Sequence, residues 1–282
     1  MIEALFPVGI AGALDDDALL ALYARGAAAA AAASSDPVLG LEAGVAPAVP
    51  AGGWVRVNFV ASVDGSATVD GLSGSLGGPD DLRVFDLLRR LSDVVLVASG
   101  TVRDEGYGAM RLHDADVGWR RAHGMADHPV FAIVSGTLNL DPASSIFTDA
   151  PVRPLVLTVA SAPDDRRAAL RAVADVVDCG ADTIDAGVVR RVLVERGLPR
   201  IACEGGPSFL GTLIAADAVD ELCLSIGPVL EGGAGPRIAR GSSPAPRGME
   251  LGHVLRAGDL LLTRYTRARA PGGASASDSV EG

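Results

Sequence analysis

The sequence predicts an α/β domain with a mixed but mainly parallel sheet flanked by helices, and three observations carry that prediction. Of the 282 residues 49% are hydrophobic and only 4% aromatic, so the interior must be built from Ala, Val and Leu, as in helix-covered parallel sheets. Apolar runs alternate with amphipathic helical patterns along most of the chain, the mark of successive βα units. Glycine-containing turns follow several of these runs, where an open parallel sheet places its ligand loops.

Taken in order, Asp15, Asp16 and Asp17 give an acidic start to a short amphipathic helix through Ala18, Leu19, Leu20, Leu22 and Tyr23. Residues 27–53 are rich in Ala, Pro, Gly and Ser without periodicity and read as loop, so residues 1–53 form a helical N-terminal extension and linker. Buried strands are predicted over 54–61, 94–98, 130–135, 155–160, 201–203 and 222–226, and helices over 80–91, 163–174, 184–196 and 207–215. The segments 250–255 and 260–266 read as an antiparallel hairpin around Ala257-Gly258, which puts an antiparallel C-terminal edge on the sheet. The folded domain spans 54–269, and the small, polar stretch 270–282 reads as a disordered tail.

A net charge of −11 opposes attraction to nucleic acid or to an anionic membrane, so neither partner is expected. Any anionic ligand must be held by local cations, backbone amides and helix ends. Cys179, Cys203 and Cys223 lack CxxC spacing and are odd in number, which favours reduced core thiols in a cytoplasmic protein over a disulfide framework. Residues 1–6 lack the basic start of a secretory signal, and the alanine run 27–33 is too short to span a bilayer. His113, His123, His128 and His253 form neither HExxH nor HxE followed by PCxxC, and no GxSxG turn occurs, so no metal site is expected and hydrolysis through a serine or a metal has little support.

The chemistry then rests on the turns. In Glu204-Gly205-Gly206-Pro207-Ser208-Phe209-Leu210-Gly211 the glycine pair admits close backbone approach, Pro207 suits the first helical position, and the amides of that helix start can receive a phosphate. The same residues read equally well as a packing βα turn, and they match neither GxGxxG nor a P-loop. After the strand 94–98, Thr101 offers a hydroxyl, while Arg103 reads either as a partner for a ribose 2′-phosphate or as a surface arginine beside Asp104 and Glu105. Ser135-Gly136-Thr137 is a third, weaker turn of the same kind, with Ser135 as its cofactor candidate. Asp64, in Asp64-Gly65, reads as a turn residue, whereas Glu204, leaving an apolar strand beside two glycines, reads as a ligand-facing acid or anchor with a raised pKa.

Together the blocks VNFVASVDG, LLRRLSDVVLVASGTVRDEGYG and IACEGGPSFLGTLIAADAVDELCLSIGPVLEGG resemble the reductase domain of the riboflavin-biosynthesis deaminase/reductase family, which has a dihydrofolate-reductase-like fold. The resemblance runs from Val55 to Gly235 in order and at similar spacing. It implies a cofactor site for NADPH at Thr101, Gly205, Gly206, Pro207, Ser208, Phe209, Leu210 and Gly211, joined by Ser75 and Glu105. It implies substrate contacts at Ser73, Arg89 and Glu204, with Glu204 as the catalytic candidate. Two departures stand out: relatives usually carry Trp where this chain has Ser75, and a DDPxLTVR stretch where it reads Glu105 to Leu112. The substrate-phosphate arginine is therefore displaced to Arg111 or absent.

The N-terminal 53 residues are too few for the deaminase half and hold no Cys or His for zinc, so the chain resembles the stand-alone pyrimidine reductases. The expected activity is hydride transfer from NADPH to the sugar carbon of a ribosylaminopyrimidine phosphate, by a homodimer. One alternative keeps the cofactor and reduces a dihydrofolate or pterin; another is a catalytically silent nucleotide-binding protein.

Overall fold

The computed structural model describes residues 1–6, 12–28, 48–242 and 244–268. The chain enters through β1 (Ile2–Phe6) and α1 (Asp16–Ala28), then β2 (Trp54–Ser62), the short α2 (Gly74–Gly77), α3 (Pro79–Arg90) and β3 (Val94–Ala98). It continues through α4 (Ser99–Asp104), α5 (Asp114–Ala122), β4 (Val130–Val134), α6 (Ser145–Thr148), β5 (Leu155–Thr158), α7 (Asp164–Arg171) and β6 (Asp175–Asp178). The last part comprises α8 (Ala186–Glu195), β7 (Arg200–Cys203), α9 (Pro207–Ala215), β8 (Glu221–Gly227), β9 (Met249–Ala257) and β10 (Leu260–Arg267).

Every strand predicted from the apolar runs forms, and so do the four helices predicted between them. The hairpin turns where Ala257-Gly258 placed it. The stretch 29–47 and the tail 271–282 lie outside the described residues. Besides the single-turn helices α2 and α6, four features differ from the sequence reading. β1 and β6 join the sheet, the turn at Ser99-Gly100-Thr101 is the start of α4, and α5 carries a buried face on Asp116, Val117 and Arg120. Neither extra strand has an apolar run long enough to announce itself, since β6 holds only two valines between aspartates.

The sheet order is β1-β9-β10-β8-β2-β7-β3-β4-β5-β6. From β8 to β6 all neighbours are parallel, while β10 pairs antiparallel with β8 and β9, and β9 with β1. β7 inserts between β2 and β3, so the loops leaving three adjacent parallel strands open on the same edge. Alternation along the strands splits the core: Val94 and Leu96 join the cluster under α8 and α9, while Val95 and Val97 face the cluster holding Val102, Phe131 and Leu170. A third cluster sets Leu19, Leu20 and Tyr23 of α1 against Val84, Leu87 and Leu88 of α3 and Leu255, Leu260 and Leu262 of the hairpin.

The parallel and antiparallel parts of the sheet meet at Glu221, which is 0% exposed. Its carboxylate accepts hydrogen bonds from Nε of Arg56 (2.7 Å), Nε of Arg264 (2.9 Å) and Nε1 of Trp54 (2.8 Å), linking β2, β8 and β10. Arg56 also donates to the Tyr23 carbonyl, drawing α1 onto the same centre. Burial opposes the charge on Glu221, yet the two guanidiniums hold its carboxyl well below the usual carboxylate range. Beside it, burial and the neighbouring Arg264 hold His253 down to about 3, leaving a neutral ring edge-on to Tyr23 with no partner for Nε2.

Glu221→Gln keeps the shape and strands two buried guanidiniums without a counter-charge. The variant is expected to lose about 3–5 kcal/mol of stability, read as a lowered urea midpoint. Because the folded pKa of Glu221 is depressed, the wild type holds the full contribution at neutral pH. It loses that contribution as pH falls below the ordinary carboxylate range, and the variant lacks this part of the acid slope.

Candidate active site

A cleft of about 630 Å³ opens at the carboxyl ends of β2, β3 and β7. β2 contributes Asn58, Phe59 and Val60. α3 turns Asp81, Leu82, Phe85 and Arg89 toward the opening, spaced so that one helical face meets it. The far side comes from Thr101, Asp104 and Glu105 and from the run Tyr107 to Met110, and the floor from Glu204, Gly205, Gly206 and Pro207. Pro236 and Arg240 close the mouth, on a segment that leaves β8 and folds back across the sheet edge.

At the floor, Arg89 clamps Glu204 bidentately, Nε to Oε1 at 2.7 Å and Nη2 to Oε2 at 2.8 Å. The Tyr107 hydroxyl donates to Oε2 at 3.1 Å. Glu204 is 8% exposed and sits between α3 and the Tyr107 segment as an acceptor for both. The Arg89 guanidinium lies 4.1 Å above the Phe85 ring and 5.7 Å from that of Tyr107, so its plane is fixed by stacking as well as pairing. Burial opposes the charge on Arg89, but the Glu204 carboxylate outweighs it and holds the guanidinium above its ordinary pKa. Burial and the same carboxylate push the Tyr107 phenol well up. Glu204 is thus a paired carboxylate with both oxygens occupied, nearer to the anchor than to the ligand-facing acid between which the sequence left the choice open.

The glycine pair meets Thr101 directly. Gly205 has φ +135°, outside the range of most side chains, and a Cβ on Gly206 would come within 2.6 Å of Thr101 Oγ1. These glycines let the β7 turn pack on α4. α9 then starts at Pro207 with Gly206 as its N-cap, so no side chain caps its first amides. Glu105 accepts the Ser73 N–H at 2.9 Å and ties the loop before α2 to the end of α4.

Of the residues singled out in the sequence, Ser73, Arg89, Thr101, Glu105, Glu204, Gly205, Gly206 and Pro207 line this cleft. The others do not. Ser75 is exposed on α2, and Ser208 is exposed on the first turn of α9. Phe209 and Leu210 are buried in the core, and Gly211 packs against the Arg240 backbone. Ser135 is buried beyond β4, with no partner for its hydroxyl. Arg103 is exposed and donates to the Asn139 carbonyl, and Arg111 is exposed and donates to the Asp149 carbonyl. In both cases the guanidinium is bonded to a carbonyl of a residue outside the cleft lining.

Tyr107, Phe85 and Arg240 were missed in the sequence. The only signal for Phe85 was its place four residues before Arg89 on one helical face. Asp64 does more than turn the chain: it accepts the N–H groups of Glu231 and Gly232 and the hydroxyl of Ser62, anchoring the segment that carries Pro236 and Arg240. Among the described residues no group of three or more His, Cys, Asp or Glu side chains could hold a metal ion, and no helix is long and apolar enough to cross a membrane.

Residues 53–261 match the family model of the RibD C-terminal domain. The chain is similar to the 2,5-diamino-6-ribosylamino-4(3H)-pyrimidinone 5′-phosphate reductase of Archaeoglobus fulgidus, 28% identical over 193 residues that cover 67% of this chain and 87% of the relative. The protein of the same description from Methanothermobacter thermautotrophicus is 29% identical over 185 residues, 65% of this chain and 82% of the relative. Among solved structures, a pyrimidine reductase-like protein from Corynebacterium diphtheriae superposes with a TM-score of 0.72 at 28% identity, covering 80% of this chain and 98% of that one.

The hydrogen bonds to Asp64 hold its carboxyl down to about 2, chiefly through the Ser62 hydroxyl and the two backbone amides. Its anchoring is complete at neutral pH and is lost as pH falls through about 2. In NMR spectra the Gly232 amide is expected to titrate with that midpoint. In Asp64→Ala the Glu231 and Gly232 amides should lose exchange protection while those of β8 keep theirs.

Proposed function

Because the chain belongs to the RibD C-terminal domain family, we propose that it is an NADPH-dependent reductase that delivers hydride to the sugar carbon of a ribosylaminopyrimidine phosphate. The observation that carries this reading is the Arg89–Glu204–Tyr107 cluster on the floor of a cleft large enough for a small ligand and part of a dinucleotide, at the carboxyl ends of three parallel strands. The uncapped amides of α9 and the close packing of Gly206 on Thr101 fit the phosphate end of such a cofactor. When bound, NADPH supplies the hydride.

The chain's own residues then position and enclose. Arg89 spends Nε and Nη2 on Glu204, which leaves Nη1 to meet a substrate oxygen. Glu204 acts through Arg89 and Tyr107, fixing where their polar groups point. Phe59, Phe85 and Met110 give the cleft an apolar wall that keeps water from the reacting carbon. A second reading, reduction of a dihydrofolate or pterin, is favoured by the position of Arg111, since no cation of the 109–111 run lines the cleft to take a substrate phosphate.

The test is a substrate panel with the purified chain, following loss of NADPH absorbance. Turnover with the ribosylaminopyrimidine phosphate supports the first reading, and turnover with dihydrofolate alone selects the second. Binding of NADPH without oxidation on either substrate selects a silent nucleotide-binding protein. On the active substrate, Glu204→Gln, which loosens the Arg89 clamp, is expected to bind NADPH nearly normally and to lose about 10²-fold in single-turnover hydride transfer through misplacement of the reactant. Arg89→Lys, which keeps the charge but not the bidentate clamp, should raise the substrate KM more than it lowers NADPH affinity. Full hydride transfer in a folded, cofactor-saturated Glu204→Gln protein would remove Glu204 from the machinery.

A further inference from the structure

We propose that Arg240 is the cation that binds a phosphate of the dinucleotide cofactor, the part the sequence offered to Arg103. The inference rests on the reading of the cleft as an NADPH site. The cleft lining holds four carboxylates, Asp81, Asp104, Glu105 and Glu204, against two guanidiniums, Arg89 and Arg240. Arg89 is neutralised by Glu204. Among the described residues Arg240 is the lining cation with no ion pair and no side-chain hydrogen bond, in a chain whose net charge of −11 offers no diffuse attraction for a polyanion.

Its backbone is held while its side chain is free. The Arg240 N–H donates to the Pro207 carbonyl at 2.9 Å, and the Arg240 carbonyl is packed so tightly on Gly211 that a Cβ there would approach it to 1.9 Å. Residue 240 is therefore fixed beside the first turn of α9, next to Gly206 and Thr101. From that point Arg240, an exposed residue, lines the cleft beside Pro207. Arg103, by contrast, is turned to the Asn139 carbonyl and lines no part of the opening. A guanidinium placed this way offers paired donors to a phosphate, which a neutral side chain of similar length cannot replace.

The experiment titrates NADPH and NADH into the wild type and into Arg240→Gln, Arg240→Lys and Arg103→Gln, with melting temperatures measured on the same preparations. Arg240→Gln is expected to weaken NADPH about 10-fold or more, Arg240→Lys to recover part of the loss, and Arg103→Gln to bind like the wild type. NADH identifies the phosphate. If its affinity is untouched by Arg240→Gln, the guanidinium serves the ribose 2′-phosphate; if it falls in parallel, the guanidinium serves the pyrophosphate. Wild-type NADPH affinity in a folded Arg240→Gln protein overturns the assignment while leaving the reductase reading in place. A wild type that binds neither nucleotide overturns both.

Discussion

A carboxylate without access to water sits where the two halves of the sheet are joined. Glu221 begins β8, which runs parallel to β2 on one side and antiparallel to β10 on the other, and it collects Arg56, Arg264 and the Trp54 indole from those strands. Two guanidiniums around one carboxylate satisfy the desolvated charge only if all three strands keep register, so the cluster makes the junction specific as well as stable. The strands that carry the cleft loops, β2, β7 and β3, extend outward from this junction. α1 is drawn to the same centre through its Tyr23 carbonyl.

The cleft repeats the logic at a wetter position. Arg89 belongs to α3 and Glu204 to the end of β7, elements distant in sequence, and their pairing brings the helix after β2 onto the turn after β7. Phe85 stacks on the guanidinium from the same helix, and Tyr107 reaches the carboxylate from the segment after α4. Two protein donor groups already occupy Glu204, so a ligand entering here meets an assembled cluster in which Nη1 of Arg89 is left to donate. Preorganisation of this kind lets a site with little acid–base machinery still orient a reactant.

The legible parts of the fold were those with a local signal. Runs such as Val94–Ala98 and Leu155–Thr158 are apolar because both faces of a parallel strand are covered, and they read as strands without any tertiary knowledge. β6 has two valines between aspartates because it is an edge strand, and β1 exists only through pairing with β9, more than 240 residues away. Glu204 was found from its place at a strand end beside two glycines and Arg89 through the family blocks, but their pairing could not be, since nothing local says that residue 89 meets residue 204. For Arg103 and Arg111 the sequence left two readings open, and the structure places each guanidinium on a carbonyl outside the cleft lining, in keeping with the surface reading of Arg103.

The segment that leaves β8 and carries Arg240 is held almost wholly through main-chain groups: Glu231 and Gly232 on Asp64, the Pro236 carbonyl on Ala67, and the Arg240 N–H on Pro207. Backbone anchoring, with Ile238 and Ala239 packed on the core beneath, leaves the exposed Arg237 and Arg240 side chains outside the fold's structural requirements. A charge exchanged at either position would therefore leave the strands beneath undisturbed, so the electrostatics of the cleft mouth can be altered independently of the sheet that supports it.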